Sequence, residues 1–131
     1  MFFVRQRDKE HDPRIGTGRT GEDLAVCYLK NQGYTIVERN YRMRIGEIDI
    51  IARDGECLVF VEVKTRRSSR FGSPFDAVDF RKQQQVSRVA LAFMTRHRCG
   101  DVPVRFDVVG VHLEKQPPGI ELIKNAFEYS D

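Results

Sequence analysis

From about residue 17 the hydrophobic positions recur at helical steps, with Leu24, Ala25, Tyr28 and Leu29 forming one apolar stripe. Thr17 or Thr20 can cap this helix, which sets Glu22 and Asp23 in its first turn, where the helix dipole favours acids. Gly33 is placed to end it in a left-handed conformation. The period then changes to two. Residues 34–39 predict a first strand, and residues 47–53 and 57–65 predict two more, joined through Asp54-Gly55 as a two-residue hairpin turn. After a polar segment, Ser73-Pro74 reads as the cap and first-turn proline of a long second helix reaching about His97. Its apolar face is Val78, Val86, Val89, Ala90, Phe93 and Met94. Residues 102–113 alternate as a fourth strand, and residues 120–127 follow the Pro117-Pro118-Gly119 turn as a fifth. Helix, three strands, helix, two strands predicts the α/β class, with a mixed sheet flanked by helices.

The hairpin register bears on chemistry. With Asp54-Gly55 as the loop, Ala52 faces Cys57, Asp49 faces Phe60 and Glu47 faces Glu62. Glu47, Asp49, Ile51, Leu58, Phe60, Glu62 and Lys64 then share one face. Ile48, Ile50, Val59, Val61 and Val63 share the other, which is wholly apolar and must be core. The first face is apolar near the turn but carries three carboxylates and a lysine at its far end. Asp49 and Glu62 are diagonal neighbours, roughly 7–8 Å apart at the backbone. Like charges so close destabilise a sheet unless something compensates, and a shared divalent cation is the natural compensator. Oxygen ligands alone suit Mg²⁺ or Mn²⁺ rather than zinc or copper. Such a centre answers the needs of phosphodiester hydrolysis: an acidified water, a Lewis acid, and in Lys64 a positive charge for the transition state. The competing reading is an exposed strand face whose charges pair with one another. The carboxylates sit where a hydrophobic strand pair enters the sheet, and that favours a site.

Composition narrows the class. The 131 residues are 40% hydrophobic and 31% charged, which fits one domain with its own core, over residues 17–131, preceded by a loose basic tail over residues 1–16. Cys27, Cys57 and Cys99 are too few and too scattered for a disulfide framework or a zinc site, and an odd count fits a reducing cytoplasm. No run has signal-peptide character or the length to span a bilayer, so no membrane partner is expected. The net charge is only +3, but Lys and Arg crowd the first two-thirds of the chain. That distribution fits either a binder of phosphate backbones or a solvated basic face.

The ordered set Gly18-x-x-Gly21-Glu22, Gly33-Tyr34, Arg39-Asn40-Tyr41-Arg42, Gly46-Glu47-Ile48-Asp49-Ile50-Ile51-Ala52, Phe60-Val61-Glu62-Val63-Lys64 and Arg66 resembles the YraN-like family of small bacterial proteins over nearly the whole chain. Asp49, then Glu62-Val63-Lys64, resembles the D…ExK core of the PD-(D/E)xK nuclease superfamily, with a spacing similar to that of archaeal Holliday-junction resolvases. The resemblance implies a restriction-endonuclease-like fold and a metal-dependent nuclease acting on DNA, including branched DNA. It implies Asp49, Glu62 and the carbonyl of Val63 as metal ligands and Lys64 as the catalytic lysine. Glu22 would be the helical acid that completes such a site, unless it is simply a helix N-terminal charge. Glu47 would stand behind the ligands, with a place as a further ligand as the alternative. Ile48 replaces the proline usual before the motif's acid.

Arg42, Arg44, Arg66, Arg67, Arg70 and Lys82 are the candidates for phosphate contacts, and Gln84 can face the site from the second helix; solvated surface is the alternative for each. His11, His97 and His112 have no partner spacing, and Phe71 and Phe75 read as core. A homodimer is expected only by analogy with junction resolvases. The rival functions are a non-catalytic nucleic-acid-binding module on the same scaffold and a basic domain that binds acidic proteins.

Overall fold

The elements follow the expected order: α1 (Thr17–Asn31), β1 (Thr35–Met43), β2 (Gly46–Asp54), β3 (Cys57–Arg66), α2 (Phe80–Arg96), β4 (Val104–His112) and β5 (Gly119–Phe127). The computed structural model describes residues 17–68 and 78–130, with side chains from residue 20 onward. The basic tail, the Ser73-Pro74 cap, Phe71, Phe75 and Arg70 lie outside the described residues. The strands form one sheet in the order β1-β2-β3-β4-β5. β3 and β4 are parallel and every other pair is antiparallel, so the sheet is mixed. The long connection that parallel pairing demands carries α2.

Each helix seals one face. Ala25, Val26 and Leu29 of α1 join Ile50, Ala52, Val59, Val61, Val109 and Val111 in one apolar cluster. Val86, Val89, Ala90 and Phe93 of α2 join Ile51, Leu58, Phe60, Phe106 and Val108 in the other. Tyr41 and Phe60 both meet the Phe93 ring edge-on. The α2 stripe read from the spacing therefore faces the sheet, whereas α1 buries Val26 beside Ala25 and Leu29 and leaves Tyr28 half-buried outside the cluster.

Several local expectations are corrected. α1 starts at Thr17, so Glu22 and Asp23 lie in its second turn rather than its first. The dipole effect fades within one turn, so it gives Glu22 no reason to be there. Gly33 does end the helix, at φ 96°, and the Tyr34 N–H bonds back to the Leu29 carbonyl at 2.9 Å. β1 runs four residues past the expected end. Asn40 adopts a left-handed conformation (φ 52°), which Asn tolerates better than most side chains. The strand continues beyond it to a tight turn at Arg44-Ile45, closed by the Met43–Gly46 pair. The turn after β2 is Gly55-Glu56 rather than Asp54-Gly55, with Asp54 paired to Cys57. Gly55, at φ 63°, takes the first central position, while Asp54 stays in the strand and binds Arg105. α2 begins at Phe80, where the Asp79 side chain accepts the Lys82 N–H at 2.9 Å.

At the end of the sheet that holds the β2–β3 turn, Asp107 is fully buried. It accepts from the Tyr34 hydroxyl at 2.8 Å, from Arg105 Nε and Nη2 at 2.9 and 3.0 Å, and from the Asn125 N–H at 2.9 Å. This joins β4 to β5 at the irregularity between Phe106 and Val108.

One close approach sets the height of α1 over the sheet. Gly21 is buried against Thr65 of β3, and a Cβ there would collide with Thr65 Oγ1. Gly21→Ala should therefore lift the start of α1 and lower stability by about 1–3 kcal/mol, the usual cost of overpacking. A shift of the denaturant midpoint at constant m-value measures this; an unchanged midpoint would show that α1 yields without cost.

Candidate active site

Asp49 sits where β2 and β3 part. Their ladder ends at Ile50–Val61, and one further step of that register sets Asp49 directly opposite Glu62, not diagonal to it. The turn shift moves every pairing by two residues, an even number, so Glu62 and Lys64 keep the common face of β3 that the sequence assigned them. The alternation does fail at one place. Ile48 packs with Ile51 and Phe60 on the α2 side, whereas Ile50 packs on the α1 side. The break lies opposite left-handed Asn40, since Arg39 pairs with Ile50 and Tyr41 with Ile48. Asp49 falls inside it, and its carboxylate accepts the Val63 N–H at 2.8 Å in place of a strand ladder.

Glu62 is 1% exposed. Its Oε1 lies 3.5 Å from Lys82 Nζ, on α2. Its Oε2 is buried with no hydrogen-bond partner. A buried carboxylate oxygen without a donor costs free energy. Burial first, and then the neighbouring Asp49, push the Glu62 carboxyl well above the usual carboxylate range. Burial likewise pushes Asp49 up, against the pull of the Val63 N–H, Lys82 and Lys64. Lys64 contributes positive charge at both carboxyls from the same face of β3.

Glu22 reaches this centre from α1. Desolvation and then the charge of Asp49 push it up to about 7, and the Asn40 side chain bonds to it. The left-handed Asn40 therefore belongs to the site, although the expected first strand stopped one residue before it. Only the tolerance of Asn for that conformation could have drawn notice to it. Glu47 acts on Glu22 and Asp49 through its charge and is bridged to exposed Arg42 at 3.0 Å.

A groove of about 400 Å³ opens beside the carboxylates, lined by Arg42, Met43, Arg44, Ile45, Gly46, Glu47, Lys82 and Gln85. Three predicted cations thus border it. The glutamine that lines it is Gln85 and not Gln84. Gly46 makes this possible, since a Cβ there would stand 2.6 Å from Gln85 Cδ. Arg66, half-buried, ends β3, and exposed Arg67 follows it.

The donor set fits a hard cation. A buried carboxylate with an open oxygen, beside a half-buried one, suits Mg²⁺ or Mn²⁺, which bind through one or two carboxylates and complete their shell with water and phosphate. No group of three or more His, Cys, Asp or Glu side chains is arranged to hold a metal among the described residues, so a closed protein cage of the zinc type does not fit.

Fold and site together define an α/β, restriction-endonuclease-like domain with paired carboxylates at a strand split. The model of the uncharacterised protein family UPF0102, which is the YraN-like family, matches residues 21–111, and the chain belongs to that family. A UPF0102 protein of Syntrophus aciditrophicus (strain SB) is 52% identical over 114 residues, covering 87% of this chain and 90% of its own. One from Geotalea uraniireducens (strain Rf4) is 48% identical over 126 residues, covering 95% and 98%. One from Caldicellulosiruptor saccharolyticus is 48% identical over 112 residues, covering 84% and 95%. Among the described residues no helix is long and apolar enough to cross a membrane.

The raised carboxyls have a consequence for stability. An acid whose folded pKa exceeds its unfolded value binds a proton more tightly when folded, so its contribution is full below the unfolded pKa and lost as pH rises through the folded one. For Glu22 that window runs from 4.5 to about 7, and Glu62 extends it upward. Without divalent cations the melting temperature should fall as pH rises through this window. Glu62→Gln, which keeps the volume without the charge, should flatten the fall and melt higher than wild type at the alkaline end. Parallel melting curves for the two proteins across the series would defeat this account.

Proposed function

We propose that the protein hydrolyses phosphodiester bonds in nucleic acid, with DNA as substrate and Mg²⁺ or Mn²⁺ as cofactor. The observation that carries this reading is the buried Glu62 carboxylate beside Asp49, with one oxygen left without any donor. Asp49, Glu62 and the Val63 carbonyl would hold the cation, and Glu22 would complete the site through water. When bound, the cation supplies an acidified water and a Lewis acid at the phosphoryl group. Lys64 directs its ammonium group at the charge that grows on the phosphoryl oxygens. Glu47 orients the ligands from behind and holds Arg42 at the groove rim. Arg42, Arg44, Lys82, Arg66, Arg67 and Arg70 would take the backbone phosphates, which position the substrate without reading its sequence. The splayed strands and the open groove suit a bent or branched duplex, and two copies about a two-fold axis would suit a junction. Three free thiols suit the cytoplasm.

The test is cleavage of linear, flapped and four-way DNA, and of RNA, against Mn²⁺ and Mg²⁺ concentration. Wild type should cleave in a metal-dependent way. Glu62→Gln should lose cleavage yet keep fold and binding, because binding rests on the cations. Lys64→Ala should keep metal affinity and lose about 10²–10³-fold in rate, as when one transition-state donor is removed. Equal cleavage by wild type and Glu62→Gln would assign the activity elsewhere. Metal-independent binding that weakens steeply with salt, without cleavage of any substrate, would leave a binding module in its place. Binding that prefers acidic protein would favour an interaction domain.

A further inference from the structure

We propose that Lys82 is a stand-in for the divalent cation: its ammonium group neutralises the Asp49–Glu62 pair in the metal-free protein and is displaced into the adjoining groove when the metal binds. This rests on the reading of Asp49 and Glu62 as metal ligands.

Glu62 is buried and Asp49 lies half-buried beside it, and two neighbouring acidic side chains call for a nearby positive charge to offset their repulsion. Two lysines are available. Lys64 comes from β3 itself, but Lys82 is the one in contact, with Nζ 3.5 Å from Glu62 Oε1. Its charge also outweighs that of Lys64 at both carboxyls. Its backbone is fixed, because the Lys82 N–H is the donor to the Asp79 cap at the start of α2. Only the flexible four-carbon stem carries the charge.

An ammonium group and a divalent cation compete for the same oxygens and repel each other. Metal entry must therefore move Lys82, and the structure offers it a second seat. Nζ already donates to Gln85 Oε1 at 3.4 Å, on the next residue of that helix face. Gln85 is itself held against Gly46, at the wall of the groove lined by Arg42 and Arg44. A lysine turned toward Gln85 joins the phosphate-binding cations, so a phosphate in the groove draws Lys82 away from Glu62. By linkage, backbone binding would then raise metal affinity, and metal would raise backbone affinity by the same factor.

The experiment is calorimetric titration of the full-length protein with Mn²⁺ at low ionic strength, without nucleic acid, for wild type, Lys82→Gln and Lys82→Arg. Removal of a competing charge a few ångströms from the ligands should tighten Mn²⁺ binding by roughly tenfold in Lys82→Gln. Lys82→Arg keeps the charge and should stay near wild type. The metal-free Lys82→Gln protein should melt below wild type at pH 8, and the gap should close at saturating Mn²⁺. Equal or weaker Mn²⁺ binding by Lys82→Gln overturns the proposal, since a lysine with a merely structural role lowers stability without tightening the metal. Failure of wild type to bind Mn²⁺ overturns both this and the metal-site reading. Tighter binding by Lys82→Gln, in a protein that cleaves nothing, upholds the stand-in and sinks only the nuclease reading.

Discussion

Glu62 lies out of water, with Asp49 half-buried beside it, at the point where β2 and β3 separate, and the surrounding structure is arranged to hold them there. Removing an ionised carboxylate from water costs several kcal/mol even after the protein relaxes. The costs of two neighbours reinforce each other, because each charge opposes the other. The compensation present in the fold is partial: one backbone N–H on Asp49, and the positive charges of Lys82 and Lys64. Glu62 Oε2 is left without a donor.

The same sheet supplies the contrast. Asp107 on β4 is as deeply buried as Glu62, but it accepts four hydrogen bonds from a tyrosine, an arginine and a backbone amide. Both its oxygens are satisfied, and its effect is to tie β4 to β5. The two acids share a scaffold and a degree of burial. They differ in whether their oxygens have partners, which separates an acid fully used by the fold from one that keeps an oxygen free of it. Small backbone devices keep the second kind in place. Gly21 lets α1 approach β3 closely enough for Glu22 to reach the pair, Asn40 bends β1 so that Asp49 turns inward, and Gly46 lets Gln85 and α2 close against the β1–β2 turn.

Much of this was legible in the sequence, because hydrophobic period reports burial directly. The seven elements, the buried face of α2 and the shared face of Glu62 and Lys64 follow from spacing alone. What was not legible depended on single backbone conformations. Asn40 conceals the second half of β1, since its left-handed turn interrupts the alternation that identifies a strand. Ile48 was assigned to the wrong side for the same reason. The Gly55-Glu56 turn was displaced by one residue because Asp-Gly is a strong turn signal, yet Asp54 is claimed by Arg105 from a strand fifty residues away. Gln85 was missed because its role arises from contact with Gly46, across elements that no local pattern connects. The start of α2 was sought at Ser73-Pro74, whereas an aspartate six residues later caps the helix.

The incomplete donor set also says something about how such a centre would be used. Zinc sites that fold a domain collect all their ligands from the protein and close on the metal. Here the chain offers carboxylate oxygens at a strand split, a backbone carbonyl, and an open groove rimmed by Arg42, Arg44 and Lys82. A cation bound this way must take the rest of its shell from water and from the phosphate that arrives in the groove. On the reading proposed above, its affinity would be weak alone and stronger with substrate present, and the ammonium of Lys82 would add to that difference by competing only while the groove is empty. The feature that looks like a deficiency, too few ligands for a cage, is what would make metal loading depend on substrate.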